Sequence, residues 1–352
     1  MPSWDAEKGA GDGLSSEQWN NHVEDQKSRI KHFIQDEPPA DATEGDLWSQ
    51  VSFGFDSEKW TIDYGEIVFT VYESNGIVYS GFSNWLDESV IAHDADDGSE
   101  IWSHELHSGT TQDVHESAGI LYSGGNGKVS AADISDGSEI WSHELQSDTV
   151  YSVHESDGVV YSASDDETVV AADVDDGSQI WSHSLHSDSV RGIHASDGVV
   201  YSASDDETVV AADASNGSEI WSHSLHSGSV RSIHESNGVV YSGSTDETVK
   251  AVDADDGSEI LTHELHSDTV WSVHELNGIL YTGSTDDTVK AADADDGSEI
   301  WTHELHSSGV NDVHPSGGEV YSASADSTLV AAEEEQALDT HGYHNGEWLE
   351  QI

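Results

Sequence analysis

His186-Ser-Asp-Ser-Val190, Ile193-His194, Gly198-Val-Val-Tyr201-Ser-Ala-Ser-Asp-Asp206-Glu-Thr-Val209, Ala211-Ala-Asp213 and Asn216-Gly217-Ser-Glu-Ile-Trp221-Ser-His223 follow one another and make one unit of a repeated text. Its tyrosine recurs at Tyr79, Tyr122, Tyr161, Tyr201, Tyr241, Tyr281 and Tyr321, spaced by 43, then 39, then 40 residues to the end. A fixed period near forty is the mark of a stacked repeat, each unit being too small to bury its own apolar face. Four short strand-like runs fill the unit, at 190–194, 199–204, 208–213 and 219–225, separated by turn residues. Runs two and three are nearly unbroken apolar or small residues, the pattern of strands covered on both faces. Ala211 and Ala212 let the neighbouring sheets come close.

Four-stranded sheets repeated around an axis make a β-propeller; a β-solenoid is the competing reading, with repeats that are usually shorter. Runs one to three occur seven times, from about 67–94 to 310–333, but the fourth follows only six of them. Its seventh copy, Glu58-Lys-Trp60-Thr-Ile62, stands ahead of the first triplet. The expectation is an all-β, seven-bladed propeller over 57–333 whose first strand completes the last sheet and leaves no open edge.

Seventy-one acidic residues face ten basic ones, a formal charge of -61. Such a chain repels itself at ordinary ionic strength, whereas in about 1 M salt the Debye length shrinks to about 3 Å. No basic patch exists to meet nucleic-acid phosphates. Cysteine is absent, so there is neither a disulfide framework nor thiol chemistry. No apolar run approaches membrane-spanning length and no signal-peptide pattern opens the sequence. Ahead of the ring, 1–35 reads as an arm and an amphipathic helix: Ser15 and Gln18 fit a capping box, and Trp19, Val23, Ile30 and Phe33 follow at helical spacing. A lone helix of this kind is expected to dock on assembly partners or on copies of itself. The stretch 36–56 reads as a linker and 334–352 as a tail.

The repeats resemble two known propeller families. His266-Ser-Asp-Thr-Val270, Gly283-Ser284, Asp286, Thr288-Val289 and Asp293 are similar to the WD repeat, in which a His, a strand Ser or Thr, a turn Asp and a Trp share buried hydrogen bonds. That resemblance implies structural pairs of His186 with Asp206, His226 with Asp246, His266 with Asp286, and His306 with Asp326. Gln146 replaces the histidine facing Asp166, and Ala or Val replaces the family's Trp, as at Val252 and Ala292. On this reading the cluster is at most a pair. Ala171-Ala-Asp173, Gly177 and Trp181 resemble the docking motif of quinoprotein-type (PQQ) repeats, which recurs with Trp102, Trp141, Trp221 and Trp301, Leu261 being the exception. The acidic composition resembles proteins of extremely halophilic archaea and their viruses. Gln18-Trp19-Asn20-Asn21, Asp25-Gln26, the run from Pro39 to Trp48 and the final Asn345-Gly-Glu-Trp348 resemble tail and fibre proteins of haloarchaeal tailed viruses.

A quinone dehydrogenase is the weakest functional reading: that family commonly uses a vicinal disulfide, eight blades and export, and this chain has seven repeats and no cysteine. The repeated Asp255-Asp-Gly-Ser258 lacks the further ligands of a calcium loop and reads as a turn. His115, His154, His194, His234, His274 and His314 recur in the first run, with Tyr72 in the equivalent place. If that run lines the axis the imidazoles face a channel, where they either make structural hydrogen bonds within their blades or suit a transition metal, His154, His194, His234 and His274 being the weak candidates. No cofactor is expected. The clearest functional signal is variation among otherwise near-constant copies. Two positions before the Val or Ile that precedes the axial residue stand Phe69, Gln112, Tyr151, Arg191, Arg231, Trp271 and Asn311. Aromatic residues and arginine carry binding hot spots; neutral drift at an exposed position is the competing reading. The expected function is non-enzymatic binding, by a virion fibre or tail component that meets a host surface glycan or protein. An intracellular scaffold in the cytoplasm of a halophilic archaeon is the alternative.

Overall fold

The computed structural model describes residues 47–54, 58–83, 89–333, 335–344 and 347–350. The arm and helix expected within 1–35 lie outside them. Seven four-stranded antiparallel sheets form the larger unit, and six run in chain order from an inner strand outward, as in Val190–Ser196, Val199–Ser204, Val209–Asp213 and Glu219–His223. The seventh is assembled from both ends of that unit: Val310–Ser316, Glu319–Ser324 and Thr328–Glu333 are completed by Glu58–Asp63, with Trp60 opposite Ala331.

Local chemistry explains the strand breaks. Each inner and second strand are joined by a two-residue turn with both residues at positive φ, such as Asp157 at 52° and Gly158 at 82°, whose twist matches that of the flanking strands. Glu155 steadies it by accepting the Gly158 N–H at 2.7 Å. The third and outer strands are joined by the Asp-Asp-Gly-Ser run. There Asp173 Oδ1 accepts the Asp175 N–H and Asp176 Oδ1 accepts the Ser178 N–H, which makes the run a pair of aspartate-capped turns. Gly177, at φ 68°, needs its bare Cα: a Cβ there would lie 2.4 Å from His143 and 2.7 Å from Trp141 of the preceding blade.

The core sits between blades. Tyr161, Val169, Ala171 and Trp181 of one blade pack on Val190, Ile193, Ala195 and Val200 of the next. Each indole also spans that boundary, its N–H donating to a carbonyl of the next blade: Trp102 to Ile134, Trp141 to Val174, Trp181 to Ala214 and Trp221 to Ala254, all at 2.8–3.0 Å. An apolar indole with a satisfied N–H suits a buried joint. Ring closure uses the same joint, Trp60 donating to Ala95 at 3.0 Å and packing with Tyr321, Val68 and Val78. The closing blade adds a charge pair of its own. Lys59 contacts Glu319 and lies 3.6 Å from Asp96, at positions where another blade carries Ile180 and Val159.

A second unit contains a three-stranded sheet in the order Leu47–Gly54, Glu335–His344, Glu347–Glu350. Segments read from the sequence as linker and tail therefore include paired strands, with Tyr343 opposite Trp348 in register. Composition alone hides this; Asn345-Gly346 between two aromatic-bearing runs is a hairpin signal.

Candidate functional site

The inner strands line a channel in tiers, because successive positions of each strand recur around the ring. At one mouth the variable residues meet: Phe69, Gln112, Tyr151, Arg191, Arg231, Trp271 and Asn311 line a single cavity of about 360 Å³. Backbone register brings them together, since each stands one residue after the first residue of its inner strand, where a bulge shifts the pairing (for example between Val190 and Gly192).

Four of these side chains form a stacked series. The Arg191 guanidinium carbon lies 4.0 Å from the Tyr151 ring centroid, and that of Arg231 lies 5.0 Å from the Trp271 ring. Between the two cations sits Asp205, which sequence reading passed over. Arg191 donates from Nε and Nη2 to Asp205 Oδ2 at 2.8 and 2.6 Å. Arg231 Nη1 is 3.0 Å from Asp205 Oδ1, an ion pair without hydrogen-bond alignment. The cations differ. Burial lowers both guanidinium pKa values, but the Asp205 contacts outweigh it at Arg191, whereas at Arg231 burial prevails. Trp271 donates to Thr285 Oγ1 at 2.7 Å and Asn311 Nδ2 to the Val68 carbonyl at 2.8 Å. Asp205 and Thr285 each stand fourteen residues after their rim partner. The signal that could have found them is variation at that second position: Ser83, Asn126, Asp165, Asp205, Thr245, Thr285 and Ala325.

Below the mouth a polar collar runs through Thr70, Asp113, Ser152, Gly192, Ser232, Ser272 and Asp312. Asp113 accepts from Val153 N–H at 2.8 Å and Ser152 at 2.9 Å; Asp312 accepts from Val71 N–H at 2.9 Å and Ser272 at 2.7 Å. Thr70 Oγ1 lies 3.2 Å from one carboxylate and 3.1 Å from the other. Burial, then the Asp312 charge, pushes Asp113 up to about 7, and burial pushes Asp312 up to about 6.

Deeper still, Tyr72, His115, His154, His194, His234, His274 and His314 close a ring of aromatic faces with neighbouring centroids 4.2–5.0 Å apart. They line a cavity of about 330 Å³. Burial holds His115 and His234 at about 4, His314 at about 3, and the other three well below the ordinary value. The weak metal candidates His154, His194, His234 and His274 are thus brought together with their faces tilted on one another. No three His or carboxylate groups among the described residues are disposed to hold a metal ion. Hydrogen bonds at this ring leave their own blades, as where His154 Nδ1 accepts the Ala195 N–H of the next one at 3.3 Å.

The WD-like pairs are larger clusters than the resemblance implied. His226 Nδ1 lies 3.1 Å from Asp246 and Nε2 2.8 Å from Ser242 Oγ, while Thr248 joins both partners. His186 with Asp206, His266 with Asp286 and His306 with Asp326 repeat the arrangement at 3.3, 3.0 and 3.4 Å. Burial would raise the Asp246 carboxyl, but Thr248, the Ser227 N–H and His226 hold it down at about 2. These groups are hydrogen-bonded and tie the segment entering each inner strand to the second strand and to the turn before the third. Gln146 substitutes by donating to the Thr168 carbonyl at 2.9 Å. All six basic residues of the described propeller are likewise committed to carboxylates: Lys59, Lys128, Arg191, Arg231, Lys250 and Lys290. Among the described residues, no helix is long and apolar enough to cross a membrane.

Solved structures similar to this chain include a designed protein and a WD40 propeller domain. The crystal structure of the computationally designed Ika8 protein is 25% identical, with a TM-score of 0.64 over 76% of this chain and 83% of that one. The WD40 β-propeller domain of Doa1 is 23% identical, with a TM-score of 0.68 over 82% of this chain and 98% of that one, a likeness of fold alone. No curated protein sequence gives a significant match. The PQQ_2 family model, described as outer membrane protein assembly factor BamB, matches residues 86–191, 175–276 and 245–347. With well over half the chain matched and the Ala-Asp-Gly-Trp joint at successive blade boundaries, this seven-bladed propeller belongs to the PQQ_2 repeat family.

Proposed function

We propose that the protein is a non-catalytic binding propeller whose ligand enters the mouth lined by Tyr151, Arg191, Arg231 and Trp271. The observation that carries this reading is convergence: the seven positions that vary most among near-identical copies line one cavity. Aromatic and arginine side chains rich in contact area are the residues that interfaces rely on. The surrounding tiers are built of buried, hydrogen-bonded groups, which suits a rigid scaffold.

The setting we propose is a virion tail or fibre component of a haloarchaeal virus. The helix expected within 16–33 would join it to other virion proteins or to copies of itself, and the ring would be presented to a host surface. A charge of -61 supports a high-salt setting, and the short terminal likenesses support the viral one. The family description, an outer membrane protein assembly factor, favours a second reading in which the ring holds other proteins during assembly. The test uses the full chain in about 3 M salt, with binding to host cells measured for the natural protein, Trp271→Ala and Tyr151→Ala. Attachment lost at unchanged melting temperature supports the mouth as the site. Attachment retained by both stable variants overturns it, and absence of the protein from purified virus particles overturns the viral setting.

A further inference from the structure

The mouth at first sight invites an anion, because two arginines stand side by side. The geometry argues otherwise. Arg191 has already directed both donors of its Nε–Nη2 edge at Asp205 Oδ2, so the edge that a carboxylate or sulfate would seek from arginine is taken. Arg231 shares the same carboxylate, and Asp165 Oδ1 lies 3.9 Å from Arg191. Two cations and two carboxylates cancel, in a protein whose whole field repels anions.

What the mouth leaves unfilled is both a donor and an acceptor. Arg231 Nε and Asp205 Oδ1 have no hydrogen-bond partner among the described residues. A hydroxyl can accept from the first and donate to the second, whereas an anion can only accept and would face the carboxylate. Both atoms are out of contact with water, so a ligand hydroxyl could reach them only by displacing Arg231. Around them lie flat apolar faces and amides. Trp271 is 38% exposed, Phe69 and Tyr151 line the same cavity, and the Gln112 amide pairs with nothing among the described residues. A cavity of about 360 Å³ falls in the small-molecule range of about 300–1,000 Å³.

Resting on the reading of the mouth as the binding site, we propose that its ligand is a neutral saccharide, whose ring faces meet Trp271 and Tyr151 and whose hydroxyls meet Gln112, Arg231 and Asp205. Asp205 is the specificity-determining residue. By pairing with both guanidiniums it offsets their charge and occupies the Nε–Nη2 edge of Arg191, so the mouth discriminates against sulfated and uronic sugars. Binding of this kind owes little to charge attraction and keeps its strength in concentrated salt.

The test is a panel of neutral hexose oligosaccharides with their sulfated and uronic-acid counterparts, presented to the full chain in 1 M and 4 M sodium chloride. The natural protein should bind neutral members with an affinity that changes less than about twofold between the two salts. Trp271→Ala, and independently Gln112→Ala, should each weaken that binding at least about tenfold. Asp205→Asn, with melting temperature as the check on folding, should gain sulfated binding by about tenfold or more, and that gain should shrink as salt rises. If the natural protein prefers the charged sugars, or binds only peptides, and Trp271→Ala abolishes that binding, the saccharide class is overturned while the mouth stands. If whatever binds is indifferent to both Trp271→Ala and Gln112→Ala, the mouth itself is wrong. If Asp205→Asn leaves the preference unchanged, Asp205 does not set it.

Discussion

Replacing Leu261 by tryptophan should make this protein more stable, by an amount that can be worked from its own copies. At the equivalent place in the preceding blade, Trp221 donates to the Ala254 carbonyl at 3.0 Å, and His223 stays exposed with Nε2 3.0 Å from the Asp256 carbonyl. Leu261 has no N–H to offer Ala294. His263 turns inward instead, being only 5% exposed, with a buried Nε2 that has no partner. The inward turn is visible from the neighbouring glycine: a Cβ on Gly297 would lie 1.6 Å from His263 Nδ1, whereas one on Gly257 would lie 2.4 Å from His223 Cδ2. An indole at 261 would evict His263 to the exposed position its counterparts hold. Relief of one buried, unpaired nitrogen contributes about 1–3 kcal/mol and the new indole hydrogen bond about 1. At about 2–4 °C per kcal/mol for a large domain, the melting temperature should rise by roughly 4–16 °C. Burial lowers the His263 pKa in the fold, so the unfolded chain takes up the proton more readily and wild-type stability falls as pH drops below about 6.5. The variant should lose less over that window. Scanning calorimetry between pH 5 and 8, with imidazole resonances followed by NMR, checks both parts. An unchanged or lower melting temperature, with residue 263 still titrating low, would refute the reasoning.

Deleting residues 1–50 should leave the ring intact, whereas deleting 1–62 removes Lys59, Trp60 and the last strand and should lower the melting temperature sharply; equal melting of the two would contradict closure by Glu58–Asp63. Reducing salt from about 3 M to a few tenths molar should loosen the fold as screening fades, and a flat melting temperature across that range would count against this. Six buried imidazoles held below their ordinary pKa favour the unfolded chain as pH falls below about 6.5, while Asp113 and Asp312, raised from an ordinary value of about 4 to about 7 and about 6, lose stability as pH rises across those intervals and so oppose part of the imidazole gain. Melting temperature should therefore fall on the acid side and level off above about pH 7, and Asp312→Asn, which removes a group opposing the imidazoles between about pH 4 and 6, should steepen the acid limb and leave the region above pH 7 unchanged; an unchanged or shallower acid limb would be the wrong sign.

Much of this architecture is legible in one dimension because the information is periodic. The tyrosine spacing, the turn residues at fixed offsets and the displaced copy at Glu58 to Ile62 together carry the blade number and point to the closing strand. The variable rim was likewise visible, since a position that changes among near-constant copies needs no coordinates to be noticed. The His226–Asp246 contact follows from a motif of fixed separation. The pairing of Leu47–Gly54 with Glu335–His344 was hidden, because it occurs once and spans most of the chain.

What the ring alone decided concerns groups that meet only when blades are set side by side. Asp205 takes its two arginines from different blades, and this changes the mouth from a cationic pair into a charge-balanced one. Asp113 and Asp312, far apart in the chain, come to share Thr70 because the first and last blades are neighbours. The stacked imidazoles and the inward turn of His263 into the space beside Leu261 are of the same kind. Sequence determined which side chains each blade presents, through hydrogen-bonded register and turn chemistry that act over a few residues. Their pairing, burial and charge state depend on the distance between blades, which is set by packing around the closed circle and is written in no single repeat.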